Sequence, residues 1–188
     1  MNKPLLIAEV KTRSPFGYVS QRSWDELFKT ANKHGDIISI HTDPRWGGSL
    51  ELVAKARALS TKPILAKGIH ATDDEIQSAL DIGADYVLVV GRLPDTKLLS
   101  RCLIEPSTLE QLEAFITELP PEQKIVWNSR NLADGSNRDR NEFSTARSLW
   151  PCWLCQASNI RSSNDVVDGA DAILVGEHLE EFIAGVSA

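Results

Sequence analysis

The strongest constraint in this sequence is a rhythm. Short apolar runs rich in β-branched residues recur from one end to the other, each separated from the next by an amphipathic or polar stretch. Strands alternating with helical patterns point to parallel βαβ units, because successive parallel strands need a crossover long enough to bring the chain back to the same edge. The runs are Leu5 to Lys11, Ile37 to His41, Pro63 to Lys67, Tyr86 to Val90, Arg101 to Glu105, Lys124 to Asn128, Cys152 to Ser158 and Ala172 to Val175. Eight such repeats predict an α/β fold of the closed (β/α)8 barrel type. An open doubly wound sheet is the competing arrangement.

At 188 residues the chain holds about one domain at roughly 150 residues each, so residues 1–188 are expected to form a single barrel. Ordinary barrels start at roughly 200 residues, and the shortage here is local. Val90 to Arg101 leaves room for only a turn or two of helix after the fourth strand, and the segments after the sixth and seventh strands are short too. Elsewhere helices are well marked. Ser23 to His34 carries Trp24, Leu27, Phe28 and Ala31 at helical spacing behind an N-cap serine, and Ser49 to Ser60 repeats the stripe with Leu52, Val53, Ala56 and Leu59. Thr72 to Ile82 and Ser107 to Leu119 open with capping-box patterns that end at Glu75 and Glu110, and Glu177 to Ala184 closes the chain. Asp134 to Asn141 reads as a polar loop.

Charge and cysteine content narrow the function. The formal charge of -6 gives no basic field to collect nucleic acid or anionic membrane, and no run approaches the roughly 18 apolar residues of a membrane span. The N-terminus shows no secretory signal pattern, so the expected compartment is the cytoplasm. Three cysteines, an odd number in a chain with 42% hydrophobic residues to fill its core, read as free thiols. Cys152 and Cys155 form a CxxC within the seventh run, where a spacing of three points them to opposite faces and argues against a redox pair. Shortened helices leave sheet that a second subunit could cover, making a homodimer.

Barrels of this kind place their chemistry at the C-terminal ends of the strands. Here those ends carry Glu9 and Lys11, Lys67, Glu105, Asn128 with Arg130 beyond it, and Ser158 with Asn159. Period-two alternation puts Glu9 and Lys11 on one side of their strand, as a charge pair lining the mouth would require. A lysine crowded by a second cation donates a proton more readily and an opposed carboxylate accepts one, which makes Lys67 and Glu105 the candidate acid and base. The loops after strands seven and eight are the usual phosphate side; Gly176 suits close approach to an oxyanion there, and Ser14 could add a hydroxyl. Trp46, after strand two, is read either as a ring contact for substrate or as a lid over the core. His41, His70 and Glu105 can be drawn as a metal site, but without a close-spaced histidine pair simple polar lining is the preferred reading, and no metal is called for. Trp127 alternates outward and reads as packing.

These residues resemble a known family. Ile7-Ala8-Glu9-Val10-Lys11 followed by Ser14-Pro15 is similar to the first strand and loop of indole-3-glycerol phosphate synthase. Ser39 to Ser49 (SIHTDPRWGGS), Pro63 to Lys67 (PILAK), Gly83-Ala84-Asp85, Leu103-Ile104-Glu105, Asn128-Ser129-Arg130-Asn131-Leu132 and Gly169 to Gly176 (GADAILVG) resemble that family's later strands in the same order. The resemblance implies a lyase of tryptophan biosynthesis that closes, decarboxylates and dehydrates carboxyphenylamino deoxyribulose phosphate without a cofactor. By the same implication Lys67 is the general acid for the substrate carbonyl, and Glu105 manages the protons of the dehydration. Lys11 and Glu9 bind and polarise substrate, Asn128 and Arg130 orient its chain and brace the lysines, and Ser14 and Gly176 hold the phosphate, with Ser158 and Asn159 in the substrate-binding loop after the seventh strand.

Departures from the family pattern gather at ligand-facing positions. Glu9 already lies in the first strand, so the extension that covers the substrate ring is expected to be missing. Gly68-Ile69 replaces an Asp-Phe, Ala157-Ser158-Asn159 replaces Glu-Ser-Gly, and Glu177 replaces a phosphate-binding Ser or Thr. The Glu177 charge is expected to repel phosphate unless a cation screens it. Three readings stay open: a minimal synthase, a related barrel acting on another small phosphorylated or carboxylated ligand, and a non-catalytic binding protein.

Overall fold

A computed structural model describes residues 3–139 and 141–186. Eight parallel strands run in sequence order around a closed barrel: β1 Leu5–Val10, β2 Ile37–His41, β3 Ile64–Lys67, β4 Tyr86–Val90, β5 Cys102–Glu105, β6 Lys124–Asn128, β7 Leu154–Ala157 and β8 Ala172–Val175. The register Leu5↔Ala172 through Ala8↔Val175 joins the last strand to the first, which disposes of the open sheet. The expected (β/α)8 fold is therefore the observed one.

Period-two alternation divides the side chains between two cores. Outward-facing Ala8, Val10, Ile38, Ile40, Val87, Val89 and Trp127 pack against the helices, while inward-facing Ile7, Leu65, Leu88, Leu103, Val126, Cys155 and Leu174 fill the barrel interior. Trp127 is core packing, as expected, and Arg138 lies over its ring at 5.1 Å. The inward series changes character toward the strand ends. Above Ile7 come Glu9 and Lys11, above Leu65 comes Lys67, above Leu103 comes Glu105, and above Val126 comes Asn128. An apolar floor thus supports a polar mouth.

The helices follow their capping signals. α1 (Trp24–His34) begins with a full capping box in which Ser23 and Glu26 satisfy each other's backbone N–H groups, and α2 (Leu50–Leu59) starts on Ser49. In α3 (Asp73–Asp81) the Thr72 hydroxyl accepts from Glu75 N–H, but Glu75 reaches back to Ala71 N–H instead of the cap itself. α4 (Leu109–Ile116) starts one residue later than its pattern predicts. Thr108, not Ser107, is the cap, and it is paired with Gln111 in place of Glu110. As in α3, the return bond goes to the residue before the cap, here from Ser107 N–H to Gln111 Oε1, a bond a side-chain amide accepts as well as a carboxylate.

The trimmed segments are as short as expected at two places of three. Single 3₁₀ turns, Leu99–Arg101 and Ser163–Asp165, stand where helices would follow β4 and β7. After β6, however, a nine-residue α5 (Asn141–Leu149) buries Phe143 and Ala146, and α6 (Leu179–Val186) completes the ring. The seventh strand is also shorter than its apolar run. Cys152 and Trp153 precede it, and Ser158 leaves it with φ +67°. The cysteines do face opposite ways: Cys155 is in the barrel interior, Cys152 packs against the outer core, and all three thiols are free. Burial pushes the Cys102 thiol up to about 12 and raises that of Cys155 as well, so neither is a ready nucleophile. Among the described residues no helix is long and apolar enough to cross a membrane.

Candidate active site

The polar mouth holds two clefts with Glu9 between them. One is lined by Lys67, Glu105, Asn128, His41, Trp46 and apolar Ile69, Leu88, Val90 and Leu132. The other is lined by Glu9, Lys11, Arg130, Ser158, Asn159, Gly176 and Glu177. All the residues expected at the site reach one of them except Ser14. Its hydroxyl accepts from Phe16 N–H at 3.2 Å, closing its own turn, and lies outside the lining of the second cleft.

Glu9 and Lys11 share a side of the barrel, but they are not a pair. Glu9 is bound to the Lys67 ammonium two strands along, on β3, and His41 Nε2 of the intervening β2 lies 2.8 Å from the same carboxylate oxygen. Burial opposes the ionisation of Glu9, yet the charge of Lys67, with His41 and Lys11, outweighs it and holds the carboxyl well below its ordinary range. His41 goes the other way: burial outweighs Glu9 and lowers it, leaving the ring neutral near pH 7. Gly176 explains how Glu9 fits. A Cβ there would overlap Glu9 Oε2, so the oxyanion to which this glycine yields space is the protein's own carboxylate.

Glu105 occupies a different environment. It is almost fully buried, and burial raises its carboxyl despite the opposing charge of Lys67 and the hydrogen bond from Asn128. Asn128 Nδ2 donates to Glu105 Oε1 at 2.9 Å and its Oδ1 accepts from Arg130 N–H at 3.0 Å, so this amide braces the glutamate, not the lysines. Among the described residues Glu105 Oε2 is buried without a hydrogen-bond partner, one oxygen left over for a ligand in the cleft it lines.

Trp46 unites its two readings. It is buried, stacks on His41 with ring centroids 5.9 Å apart, and still forms one wall of the Lys67 cleft. His70 is a structural tie: Nδ1 donates to the Leu88 carbonyl at 2.6 Å and Nε2 lies 3.2 Å from Thr42 Oγ1. His41 is the residue sequence reasoning undervalued. Its inward register two residues above Ser39 on β2 was the available signal, and the metal reading obscured its contact with Glu9.

In the second cleft, Glu177 Oε1 is 2.8 Å from Lys11 Nζ and 2.9 Å from Arg130 Nη1. Burial works against its charge, but hydrogen bonds from Arg130 and Lys11 prevail and keep the carboxyl below its usual value. The cations expected to screen Glu177 are thus bound to it. Asn159 donates to Ser129 O at 3.2 Å and Asn137 Oδ1 at 3.0 Å, tying the β7 loop to the β6 loop. Both Ser158 and Asn159 have left-handed backbones, a conformation that suits glycine and is tolerated by asparagine.

A model of the indole-3-glycerol phosphate synthase family matches residues 1–182. The chain belongs to the indole-3-glycerol phosphate synthase family. Indole-3-glycerol phosphate synthase of Bacillus pumilus is 31% identical over 93% of this chain and 77% of its own length, and that of Sulfurisphaera tokodaii is 30% identical over 95% and 79%. By shape alone, monomers of the dimeric phosphoribosylanthranilate isomerase from Thermotoga maritima superpose with a TM-score of 0.66 at 13% identity, over 99% of this chain and all of that one. Lys67, Glu105 and Asn128, at the ends of β3, β5 and β6, meet at one cleft of the mouth.

Proposed function

We propose that this barrel performs the reaction of its family as a carboxy-lyase, converting carboxyphenylamino deoxyribulose phosphate to indole-3-glycerol phosphate with loss of CO2 and water, in the cytoplasm and without a cofactor. Family membership makes it a lyase of tryptophan biosynthesis. The observation that carries the finer reading is the pairing, in one cleft, of an ammonium held by Glu9 with a buried carboxyl whose second oxygen is free.

Ring closure forms a carbon–carbon bond between the ring carbon that bears the carboxylate and the keto carbon of the sugar-derived chain. The carbonyl oxygen then needs a proton, and Lys67 Nζ supplies it; the bond to the carboxylate breaks as CO2 and returns its electron pair to the ring. In the dehydration the new hydroxyl leaves as water and the adjacent carbon gives up a proton. Glu105, with its affinity for protons raised by burial, is suited to these transfers. Trp46 and the apolar residues Ile69, Leu88, Val90 and Leu132 form the wall for the aromatic ring. Lys11 and Arg130 face the phosphorylated end.

The test is to incubate the protein with carboxyphenylamino deoxyribulose phosphate and follow indole fluorescence, with Lys67→Ala and Glu105→Ala alongside. Turnover lost in both variants supports the assignment. Absence of turnover in a folded wild-type protein removes it.

A further inference from the structure

We infer that Glu177 is an internal stand-in for an anionic ligand: its carboxylate occupies the seat between Lys11 and Arg130, and a phosphorylated substrate must displace it to bind. This deepens the proposed function, on which the choice of phosphate as the displacing group rests.

Three observations carry it. First, Lys11 and Arg130 come from different parts of the barrel, the end of β1 and the loop after β6, and converge on Glu177 beyond the end of β8. Side chains from three strand ends do not gather at a barrel mouth to make an ordinary surface ion pair; exposed pairs contribute little. This one is largely enclosed, with Lys11 8%, Glu177 14% and Arg130 17% exposed at their side chains. Second, the contacts are those an oxyanion would take. One carboxylate oxygen receives both Lys11 Nζ and Arg130 Nη1, and Arg130 Nη2 divides itself at 3.4 Å between the other oxygen and Asn159 Oδ1. Third, the loops that carry the seat are tied down: the Arg130 backbone N–H donates to Asn128 Oδ1, and Asn159, which accepts from Arg130 Nη2, is anchored to Ser129 and Asn137. The seat is preorganised, and it is full.

The charge balance gives the direction of the effect. Two cations facing one carboxylate keep an excess of one positive charge, which a further dianion would overturn if Glu177 stayed in place. Phosphate and carboxylate therefore compete for the same donors, and the competitor is tethered and always present. Removing it frees two charge-assisted donors for the ligand. Conversely, a ligand whose terminal group is an uncharged hydroxyl has no need to displace Glu177 and gains nothing from its removal.

The experiment compares wild type with Glu177→Ala, which empties the seat, and Glu177→Gln, which keeps its shape and removes its charge. Binding of inorganic phosphate is measured calorimetrically, and KM and kcat are measured with carboxyphenylamino deoxyribulose phosphate. The expected result is inorganic phosphate bound about tenfold or more tightly by Glu177→Ala, an intermediate gain for Glu177→Gln, and a fall in KM larger than any change in kcat. Because the Gln variant is nearly isosteric, it keeps the comparison intact should the Ala variant unfold. Phosphate affinity equal in wild type and both folded variants overturns the inference. Tighter phosphate binding without turnover in any of the three proteins sustains it while removing the synthase assignment, so the two failures are separable.

Discussion

The two clefts of the mouth treat their carboxylates in opposite ways. On the Lys67 side Glu105 is buried against apolar neighbours, its carboxyl raised and one oxygen unclaimed. On the Lys11 side Glu177 is held by two cations, its carboxyl lowered. Glu9 stands between them and is ionised by Lys67. A carboxyl with a spare oxygen and a raised proton affinity is equipped to exchange protons, whereas a saturated carboxylate serves as a fixed charge. The difference teaches that the mouth divides its work by surroundings: Lys67, Glu105 and Asn128 line one cleft together with apolar Ile69, Leu88 and Val90, while Lys11, Arg130, Asn159 and Glu177 line the other.

The sharpest way to break this contrast is to remove the exchanging groups. Lys67→Ala and Glu105→Ala should each lower kcat by roughly 100- to 10,000-fold, the range of a positioned acid or base. Lys11→Ala and Arg130→Ala should act mainly through KM, since their partner is a carboxylate that is not exchanging protons. Steady-state kinetics on the four variants decide the matter. A kcat loss as large for Arg130 as for Glu105 would erase the division between the clefts.

Glu9→Gln tests the partition. Its carboxylate neutralises the Lys67 ammonium in a nearly enclosed position, and breaking a buried pair from one side costs about 3–5 kcal/mol. The sign of its pH dependence follows from its lowered carboxyl: the stabilisation is present above the ordinary carboxylate range and is lost as the pH falls below it. Denaturant unfolding of the two proteins should therefore diverge near neutrality and converge in acid. A gap independent of pH would mean that Glu9 acts through packing alone.

Much of this was legible in the sequence, for reasons particular residues make plain. Ile7, Glu9 and Lys11 alternate inward, so the polar layer above an apolar floor follows from period two once the barrel closes. Lys67, Glu105 and Asn128 end their strands and meet at one cleft for the same reason. Pairing was not legible, because alternation gives the side of a strand but not the partner on another element. Glu9 and Lys11 were expected to neutralise each other, yet side chains two apart on one strand both point up the barrel, and each finds an opposite charge on another element. The role of Gly176 was hidden likewise, since the oxyanion it accommodates belongs to β1. The α5 helix after β6 was obscured by the polar run Asp134 to Asn141 before it, which conceals the short apolar face of Phe143 and Ala146.

The smallest expected effect is also the one that best sharpens the comparison. Glu105→Gln preserves the size of the side chain and its bond from Asn128 while abolishing ionisation. Because burial raises the Glu105 carboxyl, the folded protein favours the protonated form, and ionising it as the pH rises works against folding. Stability attributable to this group is full below the ordinary carboxylate range and is lost as the pH climbs through the raised value. The Gln variant escapes that loss, so it should be more stable than wild type near neutrality by about 0.5–2 kcal/mol, the common gain when an active-site cost is relieved, and should match it in acid. Glu9→Gln, measured in the same buffers, should be less stable than wild type near neutrality, with its gap closing only as the pH falls below the ordinary carboxylate range. Two glutamates in one barrel mouth that respond in opposite senses to the same substitution would show that one is kept for proton exchange and the other for charge. A loss of stability for both would show instead that Glu105, like Glu9, is held as an anion, and the proton chemistry assigned to its cleft would have to move to another group.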